Sequence, residues 1–520
     1  MSYFIDYGNY DFQSAINGHF VDKSGLLNVL NKNIDTSNKF MCISRPRRFG
    51  KSIAAQMAYA YYDRSSKSNK LFKDLEISKS PDFKKHLNKY PTIYIDWNKF
   101  SSYEHKTVVK EAQKEIVKDL KSSYPDLEET DSLSKALEEI NVKTGDRFVL
   151  IIDEWDMFVR DSYSEIREEY VDFLHAMFKS NSANKTFLLV YMTGILPIIK
   201  YETQSALNNF RENSVIAPGQ LAKYYGFTKD EVRTLCEEND MVFELMAHAY
   251  DGYIIGDEKS MFNPNSVMQA ILNRNYISYW TKSASYTTIE HYIKVDADNV
   301  QGKIIDVLDD KAVAVEVSSF RNDVHNIKDS DDVLTVLAHL GYLSYDPDTQ
   351  TVRIPNNEVA GEFRNAVKDV GWNEVSKAVK ESLTLLDNTL NMDKLRIADA
   401  FDAYHFEASS ILRYNDENSM ACAIRLAYFA ARTYYKIFRE LPTGKGFADM
   451  VFVPLPRSSR PAIVVEFKYD QSAEGAIAQI RRKDYPASLK GFSKNIILLG
   501  VNYNKETAKH EIDLEMIEGE

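Results

Sequence analysis

Four short runs of consecutive apolar residues restrict the first half of the chain to few folds. The runs "FMCIS", "TIYIDW", "RFVLIID" and "TFLLVYMT" lie between residues 40 and 193, and helix-like stretches separate them. A strand that is apolar on both faces is buried on both, and strands that alternate with helices form a parallel sheet. We therefore predict an N-terminal α/β domain built on a parallel sheet.

The first run leads into "RPRRFGKS", Arg45–Ser52, which ends like a phosphate-binding loop. In the usual pattern, G-x-x-x-x-G-K-[ST], backbone N–H groups cradle the phosphates, the lysine reaches them and the hydroxyl ligates Mg²⁺. Arg45 stands where the first glycine belongs, and the arginines of the run are expected to compensate by adding positive charge around the loop. The residues predicted to bind ATP here are Arg47, Arg48, Gly50, Lys51 and Ser52.

The third run supplies a second element of the same site. It ends in "IIDEWD", which has the form of a Walker B motif. Asp153 would hold Mg²⁺ through water, and Glu154 would polarise the attacking water. Thr193, at the end of the next run, would lie beside the γ-phosphate as a sensor. Together these elements predict a P-loop domain that binds and hydrolyses ATP with Mg²⁺.

The end of the chain carries a different acidic pattern. After a helix, "SMACAIRLAYFAARTYYKIF", the order of two strands, a helix and a strand predicts a compact α/β domain. Asp449 begins one strand, and Glu466 and Lys468 lie two apart on the next, where they face the same way. Metal-dependent nucleases of the restriction-endonuclease type hold Mg²⁺ with such carboxylates, and the lysine orients or deprotonates water. A solvated hairpin face is the alternative.

Three further residues are expected to support the nuclease site. One lies at the start of the upstream helix, where this fold commonly keeps an acidic residue. The others lie four apart on one face of the downstream helix "EGAIAQIRRKDY". These residues are Glu417, Gln479 and Lys483.

The middle of the chain, residues 281–386, is predicted to be mostly helical. The stretch "SDDVLTVLAHLGYLSYDPDTQTVRIPNNEVAGEFRNAV" reads as helix, hairpin and helix, the outline of a winged-helix unit. It would either read nucleic acid or serve as a connector, because a fold does not fix a function. The predicted domains are residues 1–280, an AAA-ATPase-like P-loop domain; 281–386, a winged-helix-like connector; and 387–520, a PD-(D/E)XK nuclease-like domain.

Composition narrows the class of protein further. A length of 520 residues predicts several domains, and a net charge of −12 argues against a histone-like coat but not against a local basic groove. Cys42, Cys236 and Cys422 are too dispersed for a disulfide framework, and the ten histidines form no metal-spaced cluster. The first residues lack the apolar segment of a signal peptide, and no apolar run is long enough to span a membrane. We expect a cytoplasmic protein with no membrane partner.

The run "RPRRFGKS" resembles the AAA-ATPase-like family of prokaryotic proteins that carry a C-terminal PD-(D/E)XK nuclease domain. The stretches "FVDKS", "YYGFTKDEV", "AYDGY" and "FNPNSV" extend the resemblance over most of the chain. The resemblance implies that Arg45 is a family feature, and that the helix with Gln479 flanks the nuclease site and the phosphate backbone. Trp155 departs from the pattern, where a tyrosine is expected.

These features predict an ATP-binding and ATP-hydrolysing protein fused to a Mg²⁺-dependent nuclease that cleaves nucleic acid under nucleotide control. The alternative is a nucleotide-dependent regulatory or scaffold protein whose nuclease fold is silent. A role in defence or as a toxin is a third reading, suggested by the pairing of the two activities. The choice between DNA and RNA stays open, as does a homo-oligomer in which a neighbour supplies an arginine.

Overall fold

The computed structural model describes most of the chain and groups it into two compact units. The first unit comprises Met1–Met241, Asp251–Arg274 and Ala314–Arg353, and the second comprises Val242–Tyr250, Asn275–Val313 and Ile354–Glu520. The domain boundaries at residues 280 and 386 stay a prediction. The described residues are 4–6, 8–18, 20–100, 107–161, 164–179, 182–198, 207–280, 287–295, 299–320, 326–369, 373–408, 424–443, 446–489 and 493–518.

Strands occur along the whole described chain, and the longest of them lie near its end. In chain order they are β1 Phe40–Ser44, β2 Thr92–Asp96, β3 Phe148–Asp153, β4 Phe187–Gly194, β5 Arg211–Asn213, β6 Phe227–Thr228, β7 Tyr253–Ile255, β8 Glu258–Phe262, β9 Val313–Ala314, β10 Ser344–Asp346, β11 Thr351–Arg353, β12 Tyr435–Thr443, β13 Gly446–Pro454, β14 Ala462–Tyr469, β15 Asn495–Asn504 and β16 Lys509–Glu518.

Helices fill the intervals and most of the middle. They are α1 Tyr10–Asn17, α2 Leu26–Asn31, α3 Lys51–Tyr62, α4 Asn69–Phe72, α5 Phe83–His86, α6 Val108–Ser123, α7 Leu133–Thr144, α8 Met157–Asp161, α9 Ser164–Phe178, α10 Ala183–Thr186, α11 Lys229–Glu238, α12 Phe243–Tyr250, α13 Pro264–Asn273, α14 Thr287–Ile293, α15 Val300–Leu308, α16 Ser330–Leu340, α17 Asn357–Asp369, α18 Asn373–Leu390, α19 Lys394–Ala408 and α20 Ala473–Arg482.

The first unit is built on a parallel sheet with the order β2-β3-β4-β1-β5. Successive residues of each central strand pack into two different apolar clusters. In β3, for example, Leu150 and Ile152 belong to one cluster, and Val149 and Ile151 belong to the other. The clusters cover the two faces of the sheet, which explains why the runs read as continuously apolar. The predicted parallel-sheet fold is confirmed.

In its described residues, the middle of the chain is mostly helical and carries a small sheet with the order β10-β11-β9. β10 and β11 pair antiparallel, α16 precedes them and α17 follows them. The Asp329 side chain caps α16 by accepting the Asp332 N–H at 2.9 Å, and Gly341 ends the helix at φ +88°. A left-handed residue at this position favours glycine. The predicted order of helix, hairpin and helix is confirmed.

The second unit ends in a mixed sheet with the order β12-β13-β14-β15-β16, in which β14 and β15 are parallel and the other neighbours are antiparallel. Helix α20 connects the parallel pair. The sheet has one strand more at each edge than we predicted. The letters "YYKIF", expected to continue a helix, instead follow a 3₁₀ turn, Phe429–Thr433, and enter β12. Pairing with β13 overrides their local helical preference.

Within the described residues, no helix combines the length and the apolar character that a membrane span requires.

Candidate active sites

The phosphate-binding loop lies between β1 and α3. Gly50 precedes the helix at φ +85°, and Arg48 is also left-handed at φ +69°. The Lys51 ammonium is buried and donates to the carbonyl oxygens of Arg45 and Pro46, at 3.1 and 3.0 Å. Burial lowers the pKa of Lys51, and Glu154 is the strongest opposing charge. Ser52 is exposed at the start of α3, where its hydroxyl is available to a ligand.

Arg45 does not add charge around the loop as we expected. Its side chain is fully buried and donates to the carbonyl oxygens of Ser44 and Asn213, each at 2.8 Å, and of Leu221 at 3.4 Å. The guanidinium also lies 5.1 Å from the ring centroid of Tyr225, and burial lowers its pKa to about 10. Arg45 therefore supports the carboxyl end of β1 from inside the unit. Arg47 and Arg48 are half-buried.

The acidic side of the site is held at the ends of β3 and β4. Thr193 donates its hydroxyl to Asp153 Oδ1, which also accepts the Glu154 N–H at 3.1 Å. Glu154 is left-handed at φ +53°, and burial raises the pKa of its carboxyl against the pull of Lys51. The carboxyl ends of parallel strands share one edge of the sheet. Lys51, Asp153, Glu154 and Thr193 therefore meet at that edge.

Sequence reasoning missed three charged residues at this edge. Asp96, the last residue of β2, pairs in register with Asp153, and burial together with that neighbour raises its pKa. Asp156 is fully buried, accepts two backbone N–H groups of the strand-ending turn after β4, and pairs with Arg160 at 3.0 Å. The aspartate that ends the run "TIYID" was a visible signal for Asp96. Only the fold reveals the role of Asp156.

Two of the family-like stretches support the loop from outside. Asn263 of "FNPNSV" caps α13 and donates to the Arg47 carbonyl oxygen at 3.3 Å. Gly226 donates its N–H to the Phe49 carbonyl oxygen at 3.0 Å, and a Cβ at Gly226 would press on the Phe49 ring. These contacts hold the loop backbone from both ends.

The nuclease-like carboxylates lie side by side on β13 and β14. The register pairs Met450 with Val465, so Asp449 is beside Glu466, and Asp449 Oδ2 accepts the Phe467 N–H at 2.7 Å. The Lys468 ammonium lies 3.3 Å from Glu466 Oε1. Glu466 is 2% exposed, and its Oε2 has no hydrogen-bond partner among the described residues. Burial and the charge of Asp449 raise the pKa of Glu466 to about 7.

The helix after β14 completes this cluster. Gln479 on α20 donates to Glu466 Oε1, and the charge of Lys483 acts on the same carboxyl. We predicted that Lys483 lies within the helix, but it is the residue that ends it. Tyr485 lies in the following 3₁₀ turn. Burial and the negative charges of Glu466 and Asp449 raise the pKa of its hydroxyl to about 12. Glu417 lies outside the described residues.

Helix α20 approaches the sheet closely because β15 carries a glycine at the contact. Gly500 pairs with Glu466, and a Cβ at Gly500 would overlap the carbonyl oxygen of Ala473. The glycine thus lets the helix lie against the strand beside the carboxylates. This contact positions Gln479 and Lys483.

The two acidic clusters differ from a metal site built entirely from protein ligands. No group of three or more histidine, cysteine, aspartate or glutamate side chains with metal-binding geometry occurs among the described residues. Magnesium needs fewer, because it commonly binds through one or two carboxylates together with water and substrate phosphate. The unpartnered, buried oxygen of Glu466 beside Asp449 fits that demand.

Comparison with known families agrees with these geometries. Residues 6–203 match the family model described as a predicted AAA-ATPase, and residues 415–512 match the PD-(D/E)XK nuclease superfamily. The chain therefore carries an AAA-ATPase-like segment followed by a PD-(D/E)XK nuclease-superfamily segment, and the predicted resemblance is confirmed. No curated protein matches the chain.

Solved structures also resemble the chain at low identity. The Walker-type ATPase of Pyrococcus abyssi is 14% identical with a TM-score of 0.33, over 66% of this chain and 94% of that one. The ORC2 protein of Aeropyrum pernix is 13% identical with a TM-score of 0.30, over 68% of this chain and 97% of that one.

Proposed function

We propose that the protein binds and hydrolyses ATP in its first unit and cleaves nucleic acid phosphodiester bonds in its second, with Mg²⁺ at both sites. The observation that carries the nuclease proposal is the buried Glu466 carboxyl, which lies beside Asp449 and Lys468 and keeps one oxygen unpartnered. A protein gains no stability from such a carboxyl, so a ligand is the better reason for its presence.

The residues of the nuclease site divide the work of phosphodiester hydrolysis. Asp449 and Glu466 would hold Mg²⁺, which when bound neutralises charge on the scissile phosphate. Lys468, 3.3 Å from Glu466, would orient the attacking water or take its proton. Gln479 steadies Glu466. Lys483 adds positive charge beside the carboxylates, which suits an anionic backbone without reading its sequence.

In the ATPase site the lysine and the acids are expected to act together at the β- and γ-phosphates. Lys51 would exchange the carbonyl oxygens of Arg45 and Pro46 for the β- and γ-phosphates. Ser52 and Asp153 would hold Mg²⁺, Glu154 would polarise water, and Thr193 steadies Asp153. Arg47, Arg48 and Gly50 would complete the cradle.

The nuclease assignment is tested by Asp449→Ala. Metal-dependent cleavage of single- and double-stranded DNA and RNA is measured for the wild type and the variant. We expect the rate to fall on the order of 10³-fold, since a metal-holding group is lost, while affinity for nucleic acid persists. Glu474→Ala, which removes an exposed carboxylate from the first turn of α20, should cleave like the wild type. If the wild type cleaves none of these substrates, the result would favour the alternative of a regulatory or scaffold protein whose nuclease fold is silent.

Nucleotide control is tested with Lys51→Ala. Cleavage is measured for the wild type and the variant, each with and without ATP. We expect ATP to change the rate of the wild type only, because the variant lacks the lysine that reaches the phosphates. Lys70→Ala, at an exposed position of α4, serves as the control and should respond to ATP. Equal rates in all conditions would remove nucleotide control from the proposal.

A further inference from the structure

The second unit contains a cavity that shares no residue with the nuclease site. Its volume is about 360 Å³, at the small end of the range for ligand sites. All of its lining residues belong to that one compact unit. Helix α17 forms one wall with Glu358, Gly361, Glu362 and Asn365, which have the spacing of one helix face.

Three residues that line the cavity carry buried polar atoms for which the described part of the chain offers no hydrogen-bond partner. They are Glu362 at Oε2, Arg364 at Nε and Ser278 at Oγ. Glu362 is 1% exposed, and burial together with the charge of Glu358 raises its pKa to about 7, while Arg364 opposes the shift. Glu358, by contrast, accepts the N–H groups of Tyr279 and Trp280. Buried polar atoms normally find partners, so three around one cavity indicate a ligand.

The unpartnered groups define what such a ligand must offer. A carboxylate accepts N–H donors and is best satisfied by two that lie side by side, whereas a guanidinium seeks acceptors. Two aromatic residues, Tyr276 and Phe429, also line the cavity, and the Arg432 guanidinium lies 5.3 Å from the Phe429 ring centroid. Aromatic rings and arginine side chains are the groups on which planar bases stack.

Guanine combines these features in one small planar group. Its N1–H and 2-amino group are adjacent donors for Glu362, and O6 with N7 is the acceptor edge that arginine most often reads. We propose that this cavity binds a guanine base, held by Glu362 and Arg364 between aromatic walls. The base would come from a free nucleoside or nucleotide, or from an unstacked residue of a single strand.

Gly361 offers a way to close the cavity without disturbing the fold. A Cβ at this position meets no atom within 4 Å, so a larger side chain can extend into the space beside Glu362. Gly361→Leu should therefore block the ligand. Gly361→Ala adds one methyl group at the same position and serves as the matched control.

The test is calorimetric titration of the full chain with guanosine and with inosine, which lacks the 2-amino group. We expect guanosine to bind about tenfold more tightly than inosine, since one charge-assisted hydrogen bond is lost. Glu362→Gln should weaken guanosine about tenfold or more and Gly361→Leu should abolish binding, while Gly361→Ala and Lys51→Ala bind normally. Thermal unfolding of each variant verifies that it is folded.

A single-stranded oligonucleotide with one guanine distinguishes the source of the base. Tighter binding of the oligonucleotide than of guanosine assigns the cavity to nucleic acid, and the reverse order assigns it to a free nucleotide. The proposal is overturned if guanosine does not bind the wild type, or if inosine binds equally well. It is also overturned if Glu362→Gln and Gly361→Leu leave binding unchanged, or if Lys51→Ala alone abolishes it.

Discussion

The two acidic sites differ in how far the protein satisfies its own polar groups. At the parallel sheet, Asp153 accepts from Thr193 and from a backbone N–H, and Lys51 is bonded to two carbonyl oxygens. At the mixed sheet, Glu466 keeps an unpartnered oxygen, and its pKa is raised to about 7. At the first site, a bound nucleotide must therefore replace hydrogen bonds that the protein makes within itself. The second holds a carboxyl that is costly until a cation arrives.

We predict that the stability of the fold depends strongly on the buried Arg45 and little on exposed arginines. Arg45→Gly restores the usual loop glycine but leaves the carbonyl oxygens of Asn213 and Leu221 without their donor. We expect the free energy of unfolding to fall by about 3 kcal/mol in a denaturant titration. Arg211→Ala, on the exposed side of β5, should change it by no more than about 0.5 kcal/mol. Equal stability of Arg45→Gly and the wild type would show that the buried guanidinium is dispensable.

A smaller effect is expected from the helix contact beside Glu466. In Gly500→Ala the new Cβ overlaps the carbonyl oxygen of Ala473, so α20 must shift away from β15. We predict a loss of about 2 kcal/mol in the free energy of unfolding, together with slower cleavage because Gln479 moves.

Gly361→Ala is the counterpart, since its Cβ meets no atom within 4 Å and alanine favours a helix. It should raise the free energy of unfolding by about 0.5 kcal/mol. Equal effects of the two glycine substitutions, measured by denaturant titration, would contradict the close contact at Gly500.

A further effect, which depends on pH, concerns the ionisation of Glu466. Because the pKa of this carboxyl is about 7 in the folded chain and near its ordinary value when unfolded, the folded state binds the extra proton. Its contribution to stability is present at low pH and is lost as the pH rises towards 7. In EDTA at pH 8, the free energy of unfolding of Glu466→Gln should therefore be about 1 kcal/mol higher than that of the wild type, and the difference should shrink as the pH falls from about 7 and be largely gone below about pH 5. If Glu466→Gln were less stable than the wild type at pH 8, the result would contradict a destabilising effect of the ionised Glu466 carboxylate.

Some parts of both sites could be predicted from sequence because they depend on local order. The buried strands are visible in the sequence as apolar runs. Such runs are followed by, or end in, the site residues Gly50, Lys51, Asp153 and Glu466. The burial of Arg45 could not be predicted, because charged residues are mostly exposed and its acceptors lie far along the chain.

Other features depended on pairing between distant segments. Asp156 acquires its role only where β3 and β4 end together. The strand β12 was misassigned as helix because "YYKIF" suits either structure until β13 pairs with it. The cavity of the second unit is equally invisible in the sequence, because Ser278 and Glu362 line one space only after the unit has folded.

Binding of Mg·ATP, measured by calorimetry on the wild type, Lys51→Ala and Asp449→Ala, tests most directly the claim that the chain carries two separate sites. We predict that the wild type and Asp449→Ala bind with the same affinity, and that Lys51→Ala binds about 10- to 100-fold more weakly. A wild type that releases no heat of binding, or an Asp449→Ala variant that loses ATP, would contradict it.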